Sequence, residues 1–385
     1  MKLPQHPFWD AGFRPFFSLA CIAGLSLPAL WAAIFSGIVA APNPQFSAVQ
    51  WHTHEMLFGF GWAVLGGFLL TATKNWVGIR GYHGYALMFL AAAWCIERLG
   101  MWFAGSLPPL LFRLSNNLFL GSIVVMLAWT LIRHRKTDSF RDNYFFLVIL
   151  PAFLLAKTLI LSTDQFQVGW SMALGLFRVA LLVMLERTVS QFMKGTLQAV
   201  ILRNASLDNA IKILGLMLVA EPLLPAPLAG SLALLLALLL SARFAFWKPH
   251  LALQRLDIGV MYLGYLAIVA QLLMIVLKLA FDVSWIGALS AHVFSFGAMG
   301  LIIPAMMIRI SKGHTGRKVG FDRGDKLVLH LMLAAFALRI FATQLFPAAY
   351  LYWISLAAFC WFLCYAILAW RYIPFLWQPR VDREI

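Results

Sequence analysis

The chain has 385 residues, of which 62% are hydrophobic and only 12% are charged. A soluble globular domain carries roughly 25% charged residues, so this composition excludes an ordinary soluble protein. The mean hydropathy of +0.83 and the formal net charge of +15 together indicate a polytopic membrane protein with one basic side.

The apolar segments are long and continuous, which predicts helices rather than the short alternating strands of a membrane β-barrel. A membrane-spanning helix needs about 20 mainly apolar residues. We therefore predict an all-α integral membrane protein, in which residues 1–385 form a single polytopic domain with about twelve transmembrane helices. The predicted spans are 15–36, 54–73, 84–103, 109–132, 144–163, 168–187, 207–222, 226–246, 257–280, 285–308, 327–346 and 349–370.

The positions of the basic residues predict the orientation of these helices. With both termini on the inner side, 24 of the 30 lysines and arginines, including Lys2 and Arg383, lie on that side, and the predicted outer loops hold none. Cytoplasmic loops are enriched in Lys and Arg, so both termini are predicted to be cytoplasmic. The positive charge then reflects topology and attraction to the anionic inner leaflet, and it does not indicate nucleic-acid binding.

The second predicted span opens with a polar cluster. Residues 51–60 read WHTHEMLFGF, which places His52, His54 and Glu55 at the outer end of an apolar helix. These groups are costly beside lipid, so we expect them to face a protein partner, a metal or a cofactor. His52 and His54 are about 200° apart on a regular helix and would bind one metal only if the helix began between them. We expect His54 to be the ligand, with His52 and Glu55 as neighbours, proton carriers or ligands of a second metal.

Polar and charged side chains also occur inside the later spans. Ions stay buried in a bilayer only with partners or in a wet cavity. For any single one of these residues, an ion pair between helices is the simplest explanation. Two alternatives remain, a proton path and a set of cations that binds the carboxylates of a cofactor. These residues are Glu97, Arg98, Arg113, Asn116, Asn117, Lys157, Arg178, Glu186 and Lys278.

The tenth span repeats the pattern of the second. His54-x-x-x-Phe-Gly recurs as His292-x-x-x-Phe-Gly, with Phe58 and Phe296 as the aromatic residues. Both helices enter from the outer side, so both histidines lie within roughly 10 Å of the outer boundary and are expected to share one site. Small residues nearby would let a flat macrocycle or another helix approach the backbone. The pattern favours a haem with two histidine ligands, or with one histidine and an open position; close packing of helices with hydrogen-bonded histidines is the alternative.

Two further groups of side chains are candidate metal ligands. His314 lies between Gly313 and Gly316, and these glycines permit a tight turn that could present an imidazole to a ligand. Thioether and thiolate groups suit Cu(I). Such groups occur at Met299, Met306, Met307, Cys360 and Cys364, and no C-x-x-C-H motif for covalent haem attachment is present.

Three stretches together resemble a known family. They are FRPFF at 13–17, the segment 51–60 continuing to Asn75-Trp76, and the segment from His292 through the motif GHTGR at 313–317. With the twelve-span plan they resemble the NnrS family of bacterial polytopic membrane proteins, which contain haem and copper and are associated with nitric oxide stress and denitrification. The resemblance implies a protein of the bacterial inner membrane that binds haem b, with copper open as a second cofactor and nitric oxide or a related small ligand as its partner.

The pattern and the resemblance together predict one set of site residues. They are His54 and His292 as iron ligands, Phe58, Phe296, Arg98 and Arg178 around the cofactor, His52 and Glu55 in catalytic proton transfer, and His52 and His314 as further metal ligands.

The chain also departs from the family pattern. It reads MYLGY at 261–265 where family members commonly carry LHLGY, and RTVSQF at 187–192 where they commonly carry R-x-I-P-x-F. Tyr262 thus replaces a family histidine, which implies either loss of an inner-side metal site, the safer inference, or use of a phenolate in its place.

Two classes of function remain open. The first is a redox protein that binds nitric oxide and converts it with electrons from quinol or another donor, an oxidoreductase if turnover occurs. The second is a transporter of haem, metal or a nitrosylated metal complex. Helices broken at Pro151, Pro222 and Pro304 would favour transport, whereas the repeated histidine pattern favours redox chemistry.

Overall fold

The computed structural model describes residues 3–42, 45–281 and 283–382, so Lys2 and Arg383 lie outside the described residues. Within these ranges the regular elements are all helices, as the unbroken apolar segments predict. The main helices are α1 (Phe13–Phe35), α2 (Ala48–Val77), α3 (Tyr85–Trp102), α4 (Pro109–Arg133), α5 (Tyr144–Ile160), α6 (Phe166–Leu197), α7 (Ala205–Met217), α8 (Ala226–Phe246), α9 (Leu256–Phe281), α10 (Leu289–His314), α11 (Arg323–Leu345) and α12 (Tyr350–Trp377).

Each predicted span falls on one of these helices. Among the described residues, nine helices are long and apolar enough to cross a membrane, which makes this a multi-pass membrane protein. The other three are shorter or more polar: α5 has 17 residues and α7 has 13, while α3 carries Glu97 and Arg98 near its end. The count of twelve spans and the cytoplasmic position of both termini stay predictions.

The chain divides into two compact units. The first unit comprises Met1–Gly169, Met307–Gly320 and Tyr365–Ile385, and it contains α1 to α5 with the last parts of α10 and α12. The second unit comprises Trp170–Met306 and Phe321–Cys364, with most of α6, all of α7 to α9, the first part of α10, α11 and most of α12. A single domain over 1–385 stays a prediction.

Helix α2 begins earlier than the apolar run suggests. The Ser47 side chain accepts a hydrogen bond from the Gln50 backbone, and the Gln50 side chain accepts one from the Ser47 backbone. This capping box satisfies donors that a helix start leaves unpaired. The helix therefore starts at Ala48 and not at the predicted residue 54, and His52 and His54 lie on one continuous helix.

The helices lose their α-helical regularity at π turns, and neither Pro151 nor Pro304 breaks its helix. Pro151 and Pro304 lie inside continuous helices, so the expected breaks there are wrong, and only Pro222 lies in a 3₁₀ segment. Three π-helical segments interrupt the α pattern instead, at Glu55–Gly61, Val293–Met299 and Leu338–Ala342. Such turns are rare and are frequent at functional sites. The first two directly follow His54 and His292.

Helices α1 and α2 pack with their backbones unusually close. A Cβ atom on Gly67 would lie 2.8 Å from the Phe16 Cβ, and one on Gly12 would lie 2.5 Å from the Leu70 Cβ. Only glycine fits at such distances. The Phe13 backbone also donates to the Thr71 hydroxyl at 2.8 Å, so the part of α2 that follows Gly61 is held firmly against α1.

Candidate functional site

The His54 ring is fully enclosed in the first unit, and both of its nitrogens have partners. Its Nε2 lies 3.1 Å from the Asn116 Nδ2. An amide nitrogen only donates, so Nε2 accepts and the ring proton is on Nδ1. Nδ1 then donates to the Glu55 Oε1 at 3.0 Å. With none of its surface exposed, His54 is held in one tautomer and one orientation.

Three buried charges, those of Glu55, Glu97 and Lys157, and the partly buried Arg98 surround this histidine. The Lys157 Nζ lies 2.5 Å from the Glu97 Oε1, and the Arg98 Nη2 lies 2.7 Å from the same oxygen. The Arg98 Nε lies 3.1 Å from the Glu55 Oε2. Two carboxylates thus face two cations, a formally neutral set that can persist in an apolar interior. We call His54, Glu55, Glu97, Arg98, Asn116 and Lys157 the polar cluster; α2, α3, α4 and α5 supply its members.

Glu97 is the member with the least complete pairing. It is fully buried, and its Oε1 lies 3.6 Å from the His54 Nε2. Its Oε2 has no hydrogen-bond partner in the part of the chain that the structure describes. A buried carboxylate oxygen without a partner is rare and costly. Glu97 therefore depends on Arg98 and Lys157 for its stability.

The π turn of α2 shapes the space for Arg98. A Cβ on Gly59 would lie 2.5 Å from the Arg98 Nη1, so a larger residue here would displace the guanidinium from its present position. The Trp94 indole donates to the Gly59 carbonyl at 3.0 Å. The Arg98 guanidinium also lies 5.3 Å from the centre of the Trp94 ring, within cation–π range.

Phe58 and His52 lie on the same helix as His54 but have different neighbours. The Phe58 ring lies 5.6 Å from the His54 ring and 5.8 Å from the Lys157 Nζ, so it covers the cluster on its apolar side. His52 instead stacks on Trp31, with 4.1 Å between ring centres and an interplanar angle of 11°. Thus His52 and His54 contact different groups.

A cavity of about 160 Å³ lies beside Glu55 and Arg98 in the first unit. Trp51, Trp94 and Trp102 form part of its wall, and residues of α1, all apolar except Ser26, form another part. We call it the tryptophan cavity. A cavity of about 150 Å³ accommodates a benzene ring, so this one is far too small for a macrocycle of four pyrroles.

His292, in the second unit, has a more open environment than His54. Its Nδ1 lies 2.8 Å from the Ala288 carbonyl, to which it donates. Its Nε2 has no partner among the described residues, and the side chain is partly exposed. The Phe296 ring lies 6.3 Å away. Arg339, on the third π segment, is close enough to act on His292 electrostatically.

Arg178 and Tyr262 lie elsewhere in the second unit. The Arg178 Nη1 donates to the Gln271 Oε1 at 3.1 Å, linking α6 to α9. The Tyr262 hydroxyl donates to the Trp247 carbonyl at 2.7 Å, so the phenolic proton has an acceptor. Arg98 belongs to the first unit, and the prediction that both arginines hold one cofactor stays untested.

His314 ends α10 and belongs to the first unit. Its ring lies 5.3 Å from the Phe13 ring, and the following turn uses Gly316 at φ +78°. The Val381 backbone donates to the Thr315 carbonyl at 3.1 Å, which fastens the C-terminal segment to this turn. Across residues 3–42, 45–281 and 283–382, no group of three or more His, Cys, Asp or Glu side chains is placed to hold a metal ion. Metal ligation by His52, His54, His292 and His314 stays a prediction.

Sequence reasoning did not assign Glu97, Asn116 and Lys157 to the site of His54. Each was recognised as a polar or charged residue inside a span, but nothing in the sequence tells which in-span charges meet. Opposite signs at Glu97 and Lys157 were the available signal. Arg339, near His292, was missed altogether.

No curated protein matches the chain. The family model described as NnrS protein matches residues 7–380, nearly the full length, and includes all three π segments and every helix described above. The chain therefore belongs to the NnrS protein family.

Proposed function

We propose that this protein binds haem through His292 and uses it to bind nitric oxide in the inner membrane of a bacterium. Membership in the NnrS family supports a nitric-oxide-related membrane protein with haem or copper. The observation that carries the proposal is the hydrogen bond from the His292 Nδ1 to the Ala288 carbonyl.

This hydrogen bond fits a metal-binding histidine. Ligating histidines almost always donate their second ring nitrogen to a carbonyl or carboxylate, which fixes the tautomer and increases the basicity of the other nitrogen. In His292 the bond places the lone pair on Nε2, and the ring is partly exposed. The side chain is thus prepared to bind iron from the surface of its unit.

Phe296 and Arg339 would support a group bound there. The Phe296 ring lies near His292 and packs on Trp361 with 4.9 Å between ring centres, which gives a firm apolar surface. Arg339 offers a buried positive charge for a carboxylate such as a propionate. A Cβ on Gly297 would lie 2.5 Å from the Ala267 Cβ, so the helix is also tightly fixed behind the histidine.

His54 does not fit iron in the arrangement described. Both ring nitrogens are engaged, the ring is fully enclosed, and the tryptophan cavity is too small for the macrocycle. Ligation by His54 would require Asn116 to turn away. We therefore assign His54 and Glu55 to proton handling, with a proton held between Nδ1 and Oε1.

When bound, the haem would supply an iron that binds nitric oxide directly. Nitric oxide is small, neutral and soluble in lipid, so it reaches a site within the membrane without a dedicated channel.

Copper, as a second cofactor, would be supported by a different pair of donors. The His54 Nε2 and the Met101 Sδ both contact the Asn116 Nδ2, at 3.1 and 3.3 Å. Imidazole and thioether are ligands that suit Cu(I). Binding of copper at this point would require only that the Asn116 amide move aside, whereas haem would also need space for its macrocycle, which the tryptophan cavity lacks.

Optical spectra of the purified protein test the haem proposal. The matched pair is His292→Ala and His330→Ala, because the His330 Nδ1 also donates to the carbonyl four residues earlier, at 2.8 Å. We expect His292→Ala to lose or shift the Soret band and His330→Ala to keep it. We also expect nitric oxide to shift the Soret band of the reduced wild-type protein. A wild-type spectrum in both variants would refute ligation by His292. Haem present but unresponsive to nitric oxide would favour the transport class instead.

Glu55 is tested separately from haem binding. If the protein turns over nitric oxide or a related ligand, Glu55→Gln should slow a proton-coupled step while leaving the Soret band unchanged. Haem loss in this variant would show instead that Glu55 supports the cofactor and does not act on protons.

A further inference from the structure

We infer that the tryptophan cavity of the first unit binds the ring of a lipid-soluble quinone or quinol. The cavity lies beside α1, α2 and α3 and is bordered by Glu55 and Arg98. Its binding role does not require haem or nitric oxide, so it stands or falls independently of the proposed function.

The size and walls of the cavity fit one six-membered ring. Its volume is about 160 Å³, close to the cavity of about 150 Å³ that holds benzene. Trp51, Trp94 and Trp102 line it, and aromatic rings pack favourably against another flat ring in stacked or edge arrangements.

The rim of the cavity includes exposed residues of α1, an apolar helix long enough to cross a membrane. Ile22 on α1 lines the cavity and is 48% exposed, and the neighbouring Ser26 is also exposed. Helix α1 is itself one of the apolar membrane-spanning candidates. A ligand could therefore enter from the bilayer and leave a long isoprenoid tail among the lipids.

The polar border of the cavity distinguishes a quinone from a plain lipid chain. The Arg98 guanidinium is a donor, and in the described part of the chain its Nη1 has neither a hydrogen-bond acceptor nor an ion-pair partner. The Glu55 carboxylate is an acceptor. A quinone carbonyl accepts from Arg98, and a quinol hydroxyl can also donate to Glu55. An acyl chain would leave the buried guanidinium nitrogen unsatisfied.

Two variants at matched isoleucines test access to the cavity. Ile22→Trp places a large ring at the rim, whereas Ile96→Trp changes an isoleucine of similar exposure, 45%, that does not line the cavity. Binding of decylubiquinone to the detergent-purified protein is measured by quenching of tryptophan fluorescence. We expect Ile22→Trp to weaken binding by about tenfold or more and Ile96→Trp to bind as the wild type does. Equal affinities in the two variants would overturn the proposal.

A second measurement separates ring recognition from simple partitioning. Decylbenzene carries the same tail on a six-membered ring but lacks the quinone carbonyls and the other ring substituents, so it should bind at least about tenfold more weakly if Arg98 donates to the ligand. A photoreactive azidoquinone should label peptides that contain 22–30 or 94–102. Equal affinity for decylbenzene, or labelling confined to other segments, would each refute a quinone site here.

Discussion

Replacement of Lys157 by Met removes one of the two cations that face Glu97. The Lys157 Nζ lies 2.5 Å from the Glu97 Oε1 and also donates to the Asn116 carbonyl. Both charged side chains are fully buried. Methionine is of similar length, so the change removes the charge and its hydrogen bonds while keeping most of the volume.

The loss in free energy of unfolding can be estimated from the burial of the Lys157–Glu97 pair. Removing one partner of a buried ion pair costs about 3–5 kcal/mol, because the other charge stays desolvated and uncompensated. Arg98 remains beside Glu97 at 2.7 Å and offsets part of this loss, so we expect the lower end, about 3 kcal/mol. Lys157→Met combined with Glu97→Gln removes both charges. The double variant should then be less destabilised than the sum of the two single variants, by about 1–3 kcal/mol, as expected for residues in contact.

Unfolding in detergent, followed by tryptophan fluorescence, measures these differences. Lys278→Met is the control, because Lys278 is also a lysine within a membrane span but is exposed. We expect the free energy of unfolding to fall clearly in Lys157→Met and to change little in Lys278→Met, with partial recovery in the double variant. Equal loss in the two single lysine variants, or strict additivity with Glu97→Gln, would refute the pairing.

The remaining predictions concern topology and helix packing. Because the predicted outer loops hold no Lys or Arg, a single cysteine at position 45 should react with an impermeant label from outside, and one at 138 only from inside; the reverse at either position would contradict the predicted orientation. Gly297→Ala should destabilise the protein by about 1–3 kcal/mol, because its Cβ would lie 2.5 Å from the Ala267 Cβ. Gly121→Ala is the control in thermal unfolding, since a Cβ there meets no atom within 4 Å, and a similar loss in both would count against the packing argument.

The positions of the helices were predictable because apolar segments of about 20 residues have few alternatives to a membrane span. The start of α2 was not, because Ser47 and Gln50 form their capping box in the polar segment before the apolar run begins. The helix breaks predicted at Pro151 and Pro304 were also wrong. Pro151 and Pro304 are accommodated within helices, as membrane helices permit when neighbouring groups satisfy the freed carbonyls.

The polar cluster could be predicted only in part. The sequence showed that His54 and Glu55 need partners, but the partners come from α3, α4 and α5. Lys157 meets Glu97 across 60 residues of chain, and that meeting is decided by helix packing. The repeated motif was also an incomplete guide: both histidines precede a π turn, yet Asn116 and Glu55 enclose His54, whereas His292 keeps one nitrogen open.

The π turn in α2 has a consequence for how this helix tolerates insertions and deletions. A π turn behaves as an α-helix into which one residue has been inserted, and one residue corresponds to a rotation of about 100° around the axis. The extra residue allows the helix to direct His54 and Glu55 toward α3 to α5 and, farther along, to press Gly67 against Phe16 of α1. Deleting one residue within Glu55–Gly61 would make the helix more regular. It would also rotate the part that carries Gly67 by about 100° relative to the part that carries His54 and Glu55, so both parts could no longer contact their neighbours. The irregular turn is thus the element that allows one helix to serve two sets of neighbours.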